Sequence, residues 1–224
     1  MKSIAIIPAK GISKRLPRKN ILNFKGKPII GWTIEAAIKA DIFDKIIVST
    51  EDEEIANISL ELGVEVEHRD KELLTDESTV NMVCLDLLEK EKSKGIEYDI
   101  LCCLYATSPL RNSIDISSVM NLVTSNRCSQ AMAVTNFDLP AFQAMFYSED
   151  GSLNPMRQDL FHLNSNNVSK IVVDNGSTYV TKVEDFYRSG RLVSEGMLGH
   201  QMLSLIHISE PTRLLSISYA VFCL

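Results

Sequence analysis

The chain carries one Trp in 224 residues, and aromatic residues make up only 7% of it. Those few are not interleaved with basic side chains, which argues against a stacking platform for single-stranded nucleic acid. Its five Cys (Cys84, Cys102, Cys103, Cys128, Cys223) show no C-x-x-C spacing and no pairing with His. That pattern excludes a zinc ribbon or a dithiol redox motif, and the thiols read as reduced and buried in a cytoplasmic protein. His68, His162 and His200 lack metal-ligand spacing. No apolar run approaches the ~20 residues of a membrane span. The apolar stretch 3–9 is too short for the core of a secretory signal. Acid is absent from one region: the first 34 residues hold 8 Lys/Arg and no Asp or Glu, whereas the other 190 hold 15 Lys/Arg and 29 Asp/Glu.

That asymmetry points to one place. Residues 6–20, IIPAKGISKRLPRKN, place Lys10, Lys14, Arg15, Arg18 and Lys19 in a loop after a short apolar strand. A chain of net charge −6 that gathers its positive charge at one loop is not coated for DNA. It has a local site for a small polyanion. The loop is neither G-x-x-x-x-G-K-[ST] nor G-x-G-x-x-G, since Gly11 has no second Gly before Gly26. Taken alone, such a charge cluster reads as a solvated surface. Its position directly after a strand argues otherwise.

Strand and helix periods alternate through the first 135 residues. Strands are predicted at 4–9, 45–50, 64–69, 100–104 and 131–135. Helices are predicted at 28–40, with Ile30, Ile34, Ala37 and Ile38 on one face, from a Thr50/Glu53 capping box through Leu62, around Val80–Leu88, and at 114–124. This is an α/β pattern: a mostly parallel, doubly wound sheet with helices on both faces. Ligands in such folds bind beyond the carboxyl ends of the strands. Residues 10–20, Arg69 and 105–111 should meet there. Residues 137–167 read as a small β-containing arm, with a turn at Glu149–Asp150–Gly151, and 172–180 return to strand. Asp52, Glu53 and Glu54 read as partners of a helix amino terminus. One domain is expected over 1–202.

The loop resembles the A-R-G-G-S-K-x-x-P-x-K-N signature of the cytidylyltransferases that make CMP-activated nonulosonic acids (sialic, pseudaminic and legionaminic). Further segments agree in order. IIVSTEDEEIA (46–56) resembles V-S-T-D-D-E-x-I-A, RDKELLTD (69–76) resembles R-P-x-x-L-A-x-D, CCLYATSPLR (102–111) resembles L-L-Q-P-T-S-P-L-R, and DNGSTY (174–179) resembles x-N-G-A-x-Y. The resemblance implies a Rossmann-like fold of the nucleotide-diphospho-sugar transferase type, a homodimer whose arm reaches the neighbouring site, Mg²⁺ as cofactor, and CTP plus a nonulosonic acid as substrates. The sugar's anomeric hydroxyl attacks the α-phosphate, pyrophosphate leaves, and no covalent enzyme intermediate forms.

Carried over by motif, Lys10 and Lys19 are the catalytic cations. Gly11, Ser13, Lys14, Asn20, Arg69, Ser78 and Thr79 surround the nucleotide, and Tyr105, Thr107, Asn175 and Tyr179 face the sugar. Lys10 replaces the usual Arg, which keeps charge but loses a bidentate phosphate contact. Ile12 replaces a second Gly. Tyr105, where the sialic branch has Gln, resembles the pseudaminic branch, whereas Asn175–Gly176 does not. The family's sugar-binding R-Q-x-L-P run is replaced by 165–170, where Lys170 is the remaining cation. Alternatives are a CMP-Kdo synthetase, which the N-G-x-x-Y segment disfavours, and a non-catalytic nucleotide- or sugar-binding module, distinguishable by CTP binding without turnover. Nucleic acid and membrane are not expected partners.

Residues 203–213, LSLIHISEPTR, resemble the translation of a transposon-based sequencing adapter, and 217–224, ISYAVFCL, resemble its next constant segment. Residues 203–224 are therefore expected not to be native. The family's D-I-D-T-P-E-D run, whose Asp residues help hold Mg²⁺, does not occur. The chain as written is thus expected to have little or no transferase activity, and no metal ligand is assigned.

Overall fold

The structure, a computed structural model, describes residues 1–13, 16–136, 143–163 and 171–202. Strand β1, Ser3–Pro8, is an apolar run with period-two alternation: Ile4 and Ile6 face one side, Ala5 and Ile7 the other, and all four are fully buried. A 3-10 turn at Lys19–Ile21 and the short ribbon of β2 (Asn23–Phe24) and β3 (Lys27–Pro28) lead into helix α1, Ile29–Ala40. Pro28 sits just before α1, where its missing N–H costs nothing. Ile30, Ile34 and Ala37 turn inward as the spacing predicts, whereas Ile38 is exposed.

Strand β4, Lys45–Thr50, is followed by α2, Glu53–Glu61. The predicted Thr50/Glu53 capping box is not formed. Asp52 caps the helix instead, its carboxylate accepting from the Glu54 and Ile55 amides at 3.1 Å each, while the Thr50 hydroxyl accepts from the Asp52 amide at 3.1 Å. A side-chain acceptor at this position satisfies amides the helix leaves open. Strand β5 (Glu65–His68), a 3-10 turn at Lys71–Leu74, α3 (Val80–Ser93), β6 (Ile100–Leu104), α4 (Ser113–Thr124) and β7 (Gln130–Asn136) follow. A reciprocal Asn112–Asp115 capping box starts α4. The arm is a hairpin of β8 (Met145–Tyr147) and β9 (Leu153–Pro155), with one helical turn, α5, at Gln158–Phe161. The sheet is completed by β10 (Val172–Lys182), which leads into α6 (Val183–Ser189), and by β11 (Leu198–Gln201).

Seven strands line up as β11-β7-β10-β6-β1-β4-β5. All neighbours are parallel except β10, which runs antiparallel to both β6 and β7. The mostly parallel α/β reading holds, and the reversed strand has a consequence: the amino-terminal half of β10 lies at the same sheet edge as the carboxyl ends of β1, β4 and β6. One face packs on α1, α2 and α4 through Ile7, Val48, Cys102 and Leu104; the other packs on α3 and α6 through Ile6, Leu101, Cys103 and Phe186. Cys84, Cys102 and Cys103 are buried free thiols, and burial pushes Cys102 up to about 12 and Cys103 well above its ordinary value. Cys223 and residues 203–224 lie outside the described residues. Among the described residues no helix is long and apolar enough to cross a membrane.

Candidate active site

The basic loop leaves β1 and bends against the ends of β4 and β5. The Lys10 ammonium donates to the Leu74 and Thr75 carbonyls at 2.7 and 3.4 Å. Buried Asn20 donates from its amide to the Lys10 carbonyl at 2.8 Å, which ties the two ends of the loop together. The Gly11 amide donates to Glu51 Oε1 at 2.8 Å, and the Ile12 amide reaches the same oxygen at 3.4 Å. A pair of adjacent amides sharing one carboxylate oxygen is an anion-binding arrangement. Gly11 lies so close to the amino terminus of α2 that a Cβ there would meet Asp52 Cβ at 2.6 Å. Ser13 accepts weakly from the Leu16 amide at 3.4 Å. Lys19 lies half-buried in the 3-10 turn. Lys14 and Arg15 lie outside the described residues. Arg18 does not face the loop's interior: its guanidinium pairs with Asp52 and Glu54.

Arg69 follows β5 and reaches across to β4, donating to the Ser49 carbonyl at 2.8 Å and its hydroxyl at 3.3 Å. Burial brings its guanidinium below its ordinary range, despite the opposing charge of Glu51. Ser78 shares a hydrogen bond with the Thr75 hydroxyl at 2.8 Å, and Thr79 caps α3 by accepting from the Met82 amide at 3.3 Å. Lys10, Gly11, Asn20 and Arg69 thus gather around the ends of β1 and β4, and residues 74–79 form the wall beyond them.

Thr79, at the end of that segment, also lines a cavity of about 330 Å³. Val80, Leu192 and Val193 make its apolar side, and Thr79, Asn81, Tyr105, Asp174, Tyr179 and Arg191 supply its polar groups. The Tyr105 and Tyr179 rings lie 5.2 Å apart. The Tyr179 hydroxyl donates to both Asp174 oxygens, at 2.9 and 2.7 Å. Burial, with Asp174 nearby, pushes both tyrosines far above the ordinary phenol value. Thr107 is buried. Asn175 is also buried, and its side chain points inward: Oδ1 accepts from the Ser177 amide (3.2 Å) and hydroxyl (2.7 Å), and Nδ2 meets Met202 Sδ at 2.9 Å. Its visible role is to shape the irregular stretch of β10 in which Gly176 takes φ +63°. Of the four residues expected to face a sugar, Tyr105 and Tyr179 line the cavity.

Sequence reasoning missed Glu51, Asp174, Arg191 and the structural role of Arg111. Arg111 is fully buried, and burial brings it down to about 10. Its guanidinium donates to the Ser177 carbonyl at 2.5 Å and the Tyr105 carbonyl at 3.5 Å, while Nε and the second terminal nitrogen have no partner among the described residues. It ties β6's end to the irregular part of β10. Magnesium finds no ready cage: no group of three or more His, Cys, Asp or Glu gathers among the described residues. Beside the loop Glu51 gives Oε1 to amides while its buried Oε2 has no partner among the described residues, and Asp52 is committed to Arg18 and α2, so one free carboxylate oxygen is left rather than a cage. The described donor set does not fit a protein-held metal.

The family model for cytidylyltransferases matches residues 4–150, a span that includes the loop, Arg69 and the Tyr105–Arg111 turn. The chain belongs to the cytidylyltransferase family. It is 36% identical over 180 residues to the pseudaminic acid cytidylyltransferase of Campylobacter jejuni, covering 80% of this chain and 78% of that one. It is 30% identical over 201 residues to the CMP-N,N'-diacetyllegionaminic acid synthase of Legionella pneumophila, covering 87% and 84%. A solved CMP:2-keto-3-deoxy-manno-octonic acid synthetase complexed with CTP overlays the whole of both chains with a TM-score of 0.71 at 14% identity. At that identity the likeness shows the fold alone, and this cytidylyltransferase shares it.

Proposed function

We propose that this cytidylyltransferase transfers CMP from CTP to the anomeric hydroxyl of a nonulosonic acid and releases pyrophosphate. The observation that carries this reading is the shared wall at residues 74–79. The Lys10 ammonium rests on its Leu74 and Thr75 carbonyls, and Thr79 lines the cavity that holds Tyr105 and Tyr179. A triphosphate on the loop and a sugar in the cavity would therefore be neighbours, and proximity supplies much of the rate of a two-substrate transfer.

In this reading Lys10 and Lys19 stabilise charge spreading over the phosphate oxygens, joined by the Gly11 amide once a phosphate oxygen takes the place of Glu51 Oε1 on it. Ser13, Lys14, Asn20, Arg69, Ser78 and Thr79 surround the nucleotide. Tyr105, with Thr107 behind it, and Tyr179, with Asn175 shaping its strand, hold the sugar. The 36% relative and Tyr105 favour a pseudaminic-type acid over the sialic and legionaminic types. A magnesium ion would accompany the triphosphate and neutralise its charge. The exposed Phe146, Tyr147 and Leu153 of the arm hairpin suit a homodimer contact. Residues 203–224 are proposed to be non-native, so that activity requires the genomic carboxyl terminus. The test is to incubate both versions with CTP, Mg²⁺ and each of the three acids. The genomic version should release pyrophosphate with at least one acid, and Lys10→Ala or Lys19→Ala should abolish most of that release. CTP binding without turnover by any acid would favour a binding module.

A further inference from the structure

The geometry points to Asp174 as the base that takes the proton of the attacking hydroxyl. This rests on the reading of the cavity as the acceptor site. The attacking oxygen must lose a proton as it bonds to phosphorus, and the group that receives it must lie within hydrogen-bond reach of the cavity. Among the described side chains lining the cavity, Asp174 is the one carboxylate. The other candidates are poor acceptors: Tyr105 and Tyr179 are held protonated by burial, Arg191 is a cation, and Thr79 and Asn81 are neutral.

Asp174 is also held for the task. Tyr179 donates its hydroxyl to both carboxylate oxygens, and the Gly176 amide donates to Oδ1 at 2.8 Å. The single Tyr179 proton is shared, nearer Oδ2 at 2.7 Å than Oδ1 at 2.9 Å, so two donor protons serve the carboxylate and both oxygens, Oδ2 among them, keep acceptor capacity on an exposed residue. Those donors fix the direction of the carboxylate. The groups facing it are Tyr179 on its own strand, Tyr105 at the end of β6, and Arg191 after α6. Arg191 offers a counter-charge to the acid group of the incoming sugar, which Asp174 would otherwise repel.

The step balances. The anomeric O–H bond breaks and its proton passes to Oδ2. The oxygen's electron pair forms the bond to the α-phosphorus. The bond from that phosphorus to pyrophosphate breaks, and its electrons leave with pyrophosphate. Asp174 then returns its proton to solvent.

The test uses the protein with its genomic carboxyl terminus. Asp174→Asn is expected to lower kcat by about 10²–10⁴-fold while both KM values stay within roughly threefold, and to abolish the acidic limb of the kcat–pH profile. Asp174→Glu should restore part of kcat and the limb with it. Should Asp174→Asn fail to fold, Asp174→Ser decides by the same readout. Retention of more than a tenth of wild-type kcat by the variant, or an acidic limb that survives in it, overturns the assignment while leaving the cytidylyltransferase reading intact. A wild type that turns over none of the three acids overturns both.

Discussion

Gly11→Ala probes how closely the basic loop is seated on the end of β4. The added methyl would lie 2.5 Å from Asp52 Oδ2, 2.6 Å from its Cβ and 2.9 Å from its Cγ. Rotating the Asp52 side chain moves the oxygen but not Cβ, so backbone must retreat by roughly 1 Å to restore a carbon–carbon approach of about 3.5–4 Å. Overpacking of this kind costs about 1–3 kcal/mol. The retreat also disturbs the cap of α2, because Asp52 accepts from the Glu54 and Ile55 amides. A loss of about 2 kcal/mol lowers Tm by roughly 4–8 °C in a chain of this size. The assay is thermal and urea unfolding followed by circular dichroism in a mutant cycle. Asp52→Ala keeps Cβ, so Gly11→Ala should remain costly on that background. Asp52→Gly removes Cβ and leaves a tolerated helix cap, so the cost of Gly11→Ala should fall below about 0.5 kcal/mol there. An equal penalty on the Asp52→Gly and wild-type backgrounds would refute the seating of the loop.

Two further outcomes follow from buried charges. Arg111→Met removes the donor that joins the Tyr105 and Ser177 carbonyls. Loss of a charged donor worth about 1.5–3 kcal/mol should raise KM for the sugar about tenfold or more and leave KM for CTP within about twofold, with partial rescue by Arg111→Lys. Equal effects on both substrates would mean that Arg111 does not act through the cavity. Glu91 is 1% exposed, and burial alone would push its carboxyl up, but Lys45 at 2.8 Å, Lys94 at 3.0 Å and the Tyr98 hydroxyl at 3.1 Å outweigh burial and hold it below its ordinary value. Its stabilisation is therefore present above the ordinary glutamate value of about 4.3 and lost as pH falls through the depressed native one. Glu91→Gln should cost about 3 kcal/mol near pH 7 in urea unfolding, and the gap should narrow in acid. A gap independent of pH would contradict the pairing.

Most of the scaffold was legible because its strands are short apolar runs in an alternating pattern. KIIVST and ILCCL read as buried strands, and both are. The direction of β10 was not legible, since a strand buried on both faces has the same residue pattern either way up. α6 and β11 were too short to give a period. The helix cap moved from Thr50 to Asp52 because two candidate acceptors stood two residues apart, and only backbone direction decides between them. In the site, motif matching named Lys10, Asn20 and Arg69, which lie around the strand ends, and Tyr105 and Tyr179, which line one cavity. It could not foresee that Arg18 pairs with Asp52 and Glu54, or that Glu51 occupies the Gly11 amide. Those are pairings between residues about 35 or 40 apart in sequence. Asn175 was matched as a sugar contact, yet a buried amide must find partners nearby, and it finds them in Ser177 and Met202.

³¹P NMR reads the transfer directly. The protein with its genomic carboxyl terminus is mixed with CTP, Mg²⁺ and a pseudaminic-type acid. The three CTP resonances should fall while pyrophosphate and one CMP phosphodiester signal grow to match, dependent on the acid. CTP that stays intact with pseudaminic, sialic and legionaminic acids alike, or that breaks down equally without any acid, would contradict the proposed transfer.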